Sequence, residues 1–284
     1  MSKFEKEQIF NYPKVLIAGY GIVGHHLKEE MEFAYTYDPD RDQGAMYNEP
    51  PKKEHFDFCF VCVPTPKNEF GSCDIGYVIE AIESIDADLF IIKSTIPPAT
   101  TDYIADLTNK KCLFSPEFYG NTQQSDIWGF LILGGDFESY HKVRQLYEKI
   151  KPASFKFHHV TNTEAEIIKY AENCYLGLKV TFCNQLKDIA DFYNCDYDAI
   201  RDGFVLDPRV GESHTFVFDD ARGYDSKCLN KDIPALIYEV KGKRVFGNTP
   251  FIMETVEEIN TNYKINNNYK EDKWKWTEDF QISL

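Results

Sequence analysis

Near its N-terminus, the chain has an apolar segment that leads directly into a glycine-rich turn. Residues 14–18 have the pattern of a buried strand, Gly19, Gly21 and Gly24 follow, and a helical pattern begins at Ile22. In a parallel sheet, glycines at this spacing permit a tight turn and let the pyrophosphate of a dinucleotide approach the helix N-terminus. This feature predicts that the chain begins as a Rossmann-type α/β domain.

Strand and helix patterns alternate through the first half of the chain. This alternation is typical of a parallel sheet with crossover helices. The predicted strands cover residues 14–18, 33–37, 57–63, 88–93, 112–114, 130–134 and 154–158. The predicted helices cover residues 22–31, 74–85, 99–108 and 137–150.

The second half of the chain has helical patterns without strands. Residues 161–194 contain no proline and carry apolar residues at helical spacing, which predicts one long central helix. Thr161 or Thr163 is a candidate N-cap, because Glu164 or Glu166 follows three residues later. Shorter helices are predicted near residues 197–203, 231–241 and 250–263.

These patterns divide the chain into three parts. Residues 1–158 are predicted to form the dinucleotide-binding Rossmann domain, and residues 159–265 a helical domain with dimerisation and catalytic roles. A helix as long as the predicted one usually crosses between domains or packs against a second subunit, so we expect a homodimer. Residues 266–284 are a polar tail, and we expect Trp274 and Trp276 to dock it on an apolar surface.

Composition excludes several classes of partner. The 284-residue chain has a formal net charge of -15, which argues against nucleic acid and anionic membrane surfaces. No apolar stretch is long enough to span a membrane, and the N-terminus lacks the core of a signal peptide, so a cytoplasmic location is expected. The eight cysteines fit reduced thiols. Cys59 and Cys62 should point to opposite faces of one strand, which excludes a redox or zinc pair, and no histidine spacing indicates a metal site.

An acidic residue ends the second predicted strand. Asp38 lies about 20 residues after the glycine turn begins, where a carboxylate binds ribose hydroxyls and repels a 2′-phosphate, so NAD is the favoured cofactor. Arg41 lies close by and keeps NADP open. Residues 63–66 and 93–98 end strands at the same edge of the sheet, where ligands bind. The predicted cofactor-binding residues are Gly19, Gly21, Ile22, Val23, Gly24, Asp38, Pro64, Thr65 and Thr95.

A reactive thiol is predicted in the second half. Cys228 lies just before a predicted helix, and Lys227 and Lys231 flank it. A helix N-terminus and nearby ammonium groups both favour the thiolate over the thiol. Lys169 and Asn173 share one face of the long helix, where an ammonium and an amide can hold a substrate oxygen as it becomes anionic. A dinucleotide site combined with a reactive thiol indicates oxidation through a covalent intermediate.

Seven short segments occur in the order found in one known family. They are residues 19–24, 63–66, 93–98, 115–118, 166–173, 207–211 and 228–232. Together they resemble the UDP-glucose/GDP-mannose 6-dehydrogenase family of nucleotide-sugar dehydrogenases. The resemblance implies oxidation of a sugar C6 alcohol to a carboxylate with two NAD.

The resemblance also implies a role for each site residue. Cys228 would attack the C6 aldehyde to give a thiohemiacetal, whose oxidation gives a thioester that water hydrolyses. Lys169 and Asn173 would stabilise the oxyanions, while Asp232 and Thr95 would position and activate water. The implied contacts to the nucleotide-sugar substrate come from Glu117, Lys169, Asn173, Arg209 and Gly223, with Glu117 also an acid/base candidate and Lys231 near both cofactor and substrate.

Several positions depart from the family pattern. Asp225 and Ser226 stand where the family has glycines before the cysteine, so Asp225 is expected to add a negative charge near an anionic substrate. Asn121 stands where a second glutamate is expected, and the loop before Gly223 is short. The chain is also too short after its last predicted helix for the family's second Rossmann-like domain, which binds the nucleotide diphosphate.

Three functions therefore remain open. The first is an NAD-dependent nucleotide-sugar 6-dehydrogenase, for which a basic cluster (Arg209, Arg222, Lys227 and Lys231) suits an anionic substrate. The second is a β-hydroxyacid dehydrogenase, which also pairs a Rossmann domain with a helical domain but performs one oxidation and needs no cysteine. The third is a regulatory or structural homologue that binds NAD.

Overall fold

The structure is a computed structural model that describes residues 12–118 and 129–268. Chain contacts divide it into two units, Met1–Glu172 and Asn173–Leu284. Asn121, Trp274 and Trp276 lie outside the described residues. The predicted limit after residue 158 separates the sheet region from the helical region. The division by contacts falls after Glu172, inside a helix, and does not test that limit, which stays a prediction.

A five-stranded parallel sheet forms the centre of the first unit. Its order is β2-β1-β3-β4-β5, which is a doubly wound arrangement. The strands are β1 (Val15–Ala18), β2 (Tyr35–Tyr37), β3 (His55–Val61), β4 (Asp86–Ile92) and β5 (Cys112–Phe114). A separate parallel pair consists of β6 (Phe130–Leu133) and β7 (Lys156–His159).

Helices alternate with these strands, as the sequence pattern predicts. They are α1 (Ile22–Glu30), α2 (Gly76–Ser84), α3 (Thr100–Thr108) and α4 (Phe137–Glu148). Every predicted strand and helix of the first half is present, with ends that lie within two residues of the prediction. The predicted α/β class with an N-terminal Rossmann-type sheet is confirmed.

The two faces of the sheet form two separate hydrophobic clusters. Leu16 and Phe90 belong to one cluster, and Ile17 and Phe60 belong to the other. Strands buried on both faces need continuous apolar runs, which is why these segments lack polar alternation. Cys59 lies in the first cluster and Cys62 packs against the second. All eight cysteines are described, and none of them forms a disulfide.

A 31-residue helix, α5 (Asn162–Phe192), begins in the first unit and continues into the second. Its N-terminus is a capping box, because Thr161 N donates to Glu164 Oε2 over 2.7 Å and Glu164 N donates to Thr161 Oγ1 over 3.2 Å. Of the two predicted caps, Thr161 is therefore the one used.

Three further helices follow α5 in the second unit. They are α6 (Tyr197–Phe204), α7 (Leu229–Gly242) and α8 (Ile252–Asn268). The long helix contributes Cys174 to a buried cluster that it shares with Leu229 and Ile233 of α7 and Met253 and Val256 of α8. The predicted helical region with one long helix is confirmed. Among the described residues, no helix is long and apolar enough to cross a membrane.

Candidate active site

The three glycines of the turn between β1 and α1 have different physical roles. Gly19 has a φ of +94°, and a Cβ there would lie 2.6 Å from the backbone of Cys62. A Cβ on Gly24 would lie 2.2 Å from Gly19 O, so this glycine allows α1 to pack closely on the turn. A Cβ on Gly21 would meet nothing within 4 Å. Gly21 therefore leaves open the space that a pyrophosphate needs at the helix N-terminus.

Asp38 directs its carboxylate at the same turn. Its Oδ2 accepts a hydrogen bond from Tyr20 N over 2.7 Å, and its Oδ1 accepts one from Asp40 N over 2.9 Å. The residue directly follows β2, so the carboxyl end of the strand holds it next to the glycine turn. The turn and the carboxylate together fit the diphosphate and the ribose of a dinucleotide.

The loops after β3 and β4 are tied to each other at the carboxyl edge of the sheet. Thr65 Oγ1 donates to Thr95 O over 2.8 Å, and Ser94 Oγ donates to Val63 O over 2.6 Å. Pro64 lies between two of these residues. The structure therefore brings the predicted cofactor residues Pro64, Thr65 and Thr95 together at one edge.

Glu117 and Lys169 form a buried acid–base pair in the first unit. Their side chains are 10% and 6% exposed, and Lys169 Nζ lies 3.9 Å from Glu117 Oε1 and 3.5 Å from Glu172 Oε2. Burial raises the pKa of Glu172, and the neighbouring ammonium opposes that shift. The ring of Phe118 covers the ammonium at 5.2 Å. The ammonium group of Lys169 is thus almost fully buried, so its charge acts strongly on any nearby oxygen.

Lys93 is a buried cation that the sequence analysis did not select. It follows β4 and is 3% exposed, and its Nζ donates to Ser115 Oγ over 3.1 Å. Burial lowers the pKa of Lys93. Its contact holds the segment that leads to Glu117. The available signal was its place at the start of the segment 93–98.

Glu166 ties the long helix to the loop that carries Thr95. The side chain is fully buried and accepts hydrogen bonds from Ala99 N (2.6 Å), Thr101 N (2.7 Å) and Thr101 Oγ1 (2.6 Å). These donors form the N-terminus of α3, where a carboxylate is favourable. Burial raises the pKa of Glu166 to about 7, although its three hydrogen bonds act in the opposite direction.

Asn173 and Asp232 form the polar centre of the second unit. Asn173 Nδ2 donates to Asp232 Oδ2 over 2.6 Å, and both side chains are buried. Lys231 Nζ pairs with the other carboxylate oxygen. An amide from α5 and a carboxylate from α7 are thereby fixed together, and both oxygens of the buried carboxylate have a partner.

Cys228 lies at the N-terminus of α7 with its side chain exposed. Asp232 N donates to Cys228 O over 2.8 Å, so the cysteine and the buried carboxylate share the first turn of this helix. The neighbouring Cys174 is buried, and burial raises the pKa of its thiol to about 12. An exposed thiol at a helix N-terminus is the more reactive kind, which favours Cys228 over Cys174 as a nucleophile.

The charge of Asp225 is paired with a lysine of α8. Its carboxylate pairs with Lys264 Nζ at 2.7 Å and accepts a hydrogen bond from Asn230 Nδ2 over 2.7 Å. Both contacts lower the pKa of Asp225. The negative charge that the sequence places near an anionic substrate therefore has a cationic partner.

The basic cluster is also largely paired. Arg209 contacts Asp207, and Arg222 contacts Asp188 at 2.6 Å, as Lys231 contacts Asp232. Among the three paired cations Arg209 is the most exposed, with 88% of its side chain accessible. Lys227 is exposed as well. The cluster thus presents less net positive charge than its sequence indicates.

Two segments match domain models of one family. Residues 43–124 match the UDP-glucose/GDP-mannose dehydrogenase family, NAD binding domain. Residues 163–262 match the central domain of the same family. The chain belongs to the UDP-glucose/GDP-mannose dehydrogenase family. The predicted family and the predicted cofactor, NAD, are confirmed; the glycine turn at residues 19–24 precedes the first matched segment.

Similar proteins that carry a name belong to the same kind of dehydrogenase. A UDP-glucose 6-dehydrogenase from Rickettsia felis is 32% identical over 191 residues, which cover 62% of this chain and 42% of the relative. One from Rickettsia prowazekii is 29% identical over 205 residues, which cover 67% of this chain and 46% of the relative. The chain thus spans about half the length of the curated relatives it matches.

Solved structures show the same fold at low sequence identity. A UDP-glucose dehydrogenase from Pyrobaculum islandicum matches with a TM-score of 0.75 and 21% identity, covering 89% of this chain and 69% of that one. A 3-hydroxyisobutyrate dehydrogenase from Mycobacterium tuberculosis matches with a TM-score of 0.68 and 14% identity, covering 90% and 95%. The fold is therefore common to nucleotide-sugar and β-hydroxyacid dehydrogenases.

Proposed function

We propose that this chain is an NAD-dependent nucleotide-sugar 6-dehydrogenase that oxidises a sugar C6 alcohol to a carboxylate through a Cys228 thioester. The observation that carries the proposal is the first turn of α7. This turn presents an exposed thiol at Cys228 and a buried carboxylate at Asp232, and the carboxylate is held by Asn173. A β-hydroxyacid dehydrogenase, which oxidises its substrate once, has no use for the thiol.

The cofactor would be held by the β1–α1 turn, Asp38 and the loops that contain Thr65 and Thr95. NAD, when bound, accepts the hydride that each oxidation releases. Asp38 in the ribose position favours NAD over NADP. Lys231 would lie near the cofactor, although its ammonium already contacts Asp232.

The protein groups perform the remaining chemistry. The Cys228 thiolate adds to the C6 aldehyde and forms a C–S bond, which retains the aldehyde between the two oxidations. Lys169 and Asn173 share one face of α5 and stabilise the oxyanion that forms at this carbon. The second oxidation converts the thiohemiacetal to a thioester.

In the last step of the reaction, water attacks the thioester carbon. The C–S bond then breaks and releases a carboxylate and the thiolate. Asp232 accepts a proton from this water, with Thr95 as a positioning group and Glu117 as a further acid/base group. Arg209 and Gly223 contact the nucleotide sugar in this proposal.

A homodimer is part of the proposal. The second-unit part of α5 exposes Tyr175, Phe182 and Ile189 at intervals of seven residues, and each side chain is at least half exposed. Phe192 and Tyr193 extend this stripe with exposures of 70% and 69%. Large apolar side chains at such spacing are typical of a helix that packs against another helix. The cytoplasmic location expected from the sequence belongs to the same proposal.

An assay of NADH release tests the function. The full chain is incubated with NAD and a panel of UDP- and GDP-sugars, with 3-hydroxyisobutyrate as the comparison substrate. The proposal expects NADH with at least one nucleotide sugar and none with the hydroxyacid. NADH with the hydroxyacid alone would favour the β-hydroxyacid alternative. Binding of NAD without turnover of any substrate would favour a regulatory homologue.

A further inference from the structure

We propose that helix α8 is the element that positions the Cys228 nucleophile, and that Asn260 is its principal positioning residue. The inference rests on the proposed function, because it concerns how the proposed nucleophile is held. The segment involved is residues 223–226, which we call the nucleophile loop. Lys227 separates it from Cys228 and the first turn of α7.

Asn260 pairs with both backbone groups of one loop residue. Its Oδ1 accepts a hydrogen bond from Tyr224 N over 2.7 Å, and its Nδ2 donates to Tyr224 O over 3.1 Å. Asn260 is 2% exposed, so the two bonds form where water does not compete for them. A single side chain thus pairs with the backbone N–H and C=O of Tyr224, as a neighbouring strand does in a sheet.

The fit leaves no room for a side chain on the preceding residue. Gly223 has a φ of +80°, and a Cβ there would lie 2.5 Å from Asn260 Oδ1. Gly223 N in turn donates to Asn184 Oδ1 on α5 over 3.0 Å. The backbone at Gly223 is therefore held between an amide of α5 and an amide of α8.

Two further residues of α8 hold the loop by its side chains. Tyr224 Oη donates to Glu257 Oε2 over 2.5 Å. Asp225 pairs with Lys264, whose Nζ also donates to Asn230 Oδ1 over 2.9 Å. Glu257, Asn260 and Lys264 are spaced by three and four residues, so they lie on one face of α8. Asp225 is the residue that stands in place of a glycine, and here it supplies the loop's contact to Lys264.

The contacts converge on the start of α7. Ser226 ends the nucleophile loop, and its Oγ accepts a hydrogen bond from Leu229 N over 3.1 Å. Cys228 lies between these two residues, so the geometry of the loop decides where the thiol stands relative to the helix N-terminus. The residues of α8 act through the loop backbone and are positioning residues.

The test compares Asn260→Ala with Asn262→Ala, an exposed asparagine on the same helix. In Asn260→Ala, we expect hydrogen exchange of the Tyr224 amide to quicken at least about tenfold, because a buried donor loses its acceptor. Alkylation of Cys228 by iodoacetamide, measured relative to the exposed Cys195, should slow about threefold or more as the thiol leaves the helix N-terminus. With an active sugar substrate, kcat should fall roughly 10- to 100-fold while KM changes little.

Conservative variants show whether position is the cause. Asn260→Asp keeps the acceptor for Tyr224 N but replaces the donor to Tyr224 O with an oxygen, so exchange of the Tyr224 amide should quicken less than in Asn260→Ala. If the variants at 260 do not fold, the ion pair between Asp225 and Lys264 provides the test instead. Asp225→Lys and Lys264→Asp should each lower kcat about threefold, and the double variant should recover most of this loss.

The exchange and alkylation measurements need no sugar turnover. If the wild-type chain oxidises no sugar but Asn260→Ala still changes both measurements, the positioning role stands and the proposed function fails. The positioning role is overturned if Asn260→Ala matches Asn262→Ala in Tyr224 exchange, Cys228 alkylation and kcat. Where the variants at 260 do not fold, it is overturned if the charge-swapped pair of Asp225 and Lys264 recovers nothing.

Discussion

Asn173 Nδ2 lies 2.6 Å from Asp232 Oδ2, and this hydrogen bond joins a buried amide of α5 to a buried carboxylate of α7. The other oxygen of Asp232 pairs with Lys231. This carboxylate, in the first turn of the helix that Cys228 begins, is therefore held from two sides. In the proposed mechanism Asn173 stabilises the oxyanion and Asp232 activates water, so the same contact supports both roles.

Removing the amide should cost both stability and rate. Asn173→Ala leaves Asp232 with one donor fewer in a buried setting, so the free energy of unfolding should fall by about 1–3 kcal/mol. Asn173→Asp places two carboxylates in contact and should lower the unfolding free energy further. Urea denaturation checks both variants. Equal stability of wild type and Asn173→Ala would show that the contact does not form in solution.

The glycine turn gives a matched pair of substitutions. Gly21→Ala adds a methyl group where nothing lies within 4 Å, so stability should change by less than about 0.5 kcal/mol. NAD should nevertheless bind at least about tenfold more weakly, because the methyl group occupies the path of the pyrophosphate. Gly24→Ala should instead destabilise the fold by about 1–3 kcal/mol through overpacking. Thermal unfolding and NAD titration separate the two effects, and weaker binding in Gly24→Ala alone would refute the assignment.

Glu166 should make stability depend on pH. Burial raises its pKa in the folded chain to about 7, above the unfolded value of 4.5. The folded state therefore binds its proton more tightly, so this contribution is complete below pH 4.5 and is lost as pH rises through about 7. The shift corresponds to at most about 3 kcal/mol. Urea unfolding of wild type and Glu166→Gln at pH 5 and 7.5 should show wild type losing more stability at the higher pH.

Glu164, on the same helix, provides a control of opposite sign. Hydrogen bonds from Thr161 lower the pKa of Glu164. Its contribution is therefore present above the unfolded value of 4.5 and is lost as pH falls. Glu164→Gln should leave the difference between pH 5 and 7.5 close to that of wild type. A Glu166→Gln profile parallel to wild type would contradict the burial effect.

The dimer proposal predicts an effect of charge on the exposed stripe of α5. Phe182 is 50% exposed at the centre of this stripe. Phe182→Glu should raise the dimer dissociation constant at least about tenfold, because a carboxylate would be buried at the interface. Thr255→Glu, at an exposed position of α8, should not. A monomeric wild-type chain by light scattering at micromolar concentration would reject the dimer.

Element positions followed from sequence because they depend on local patterns. The buried strands have continuous apolar runs, and α5 has a proline-free helical repeat that starts at the Thr161–Glu164 box. The tight turn at Gly19 also followed, because a turn motif encodes its own geometry. These features need no knowledge of distant residues.

The supports of the site did not follow from sequence, because they are contacts between distant segments. The sequence predicts an unfavourable charge at Asp225, whereas the structure places Lys264 beside it. Asn260 sits in an ordinary helical pattern, and its pairing with Tyr224 depends on how α8 packs. Lys93 is nearly fully buried, which its neighbours in the chain do not reveal.

The covalent role of Cys228 is the central claim, and the stoichiometry of product formation tests it most directly. Wild type, Cys228→Ser and the control Cys195→Ser are each incubated with NAD and the sugar found active in the panel, and NADH and carboxylate are counted. Wild type and Cys195→Ser should yield two NADH per carboxylate. Cys228→Ser should form no carboxylate while retaining the first oxidation. Two NADH per carboxylate from Cys228→Ser at the wild-type rate would contradict the account.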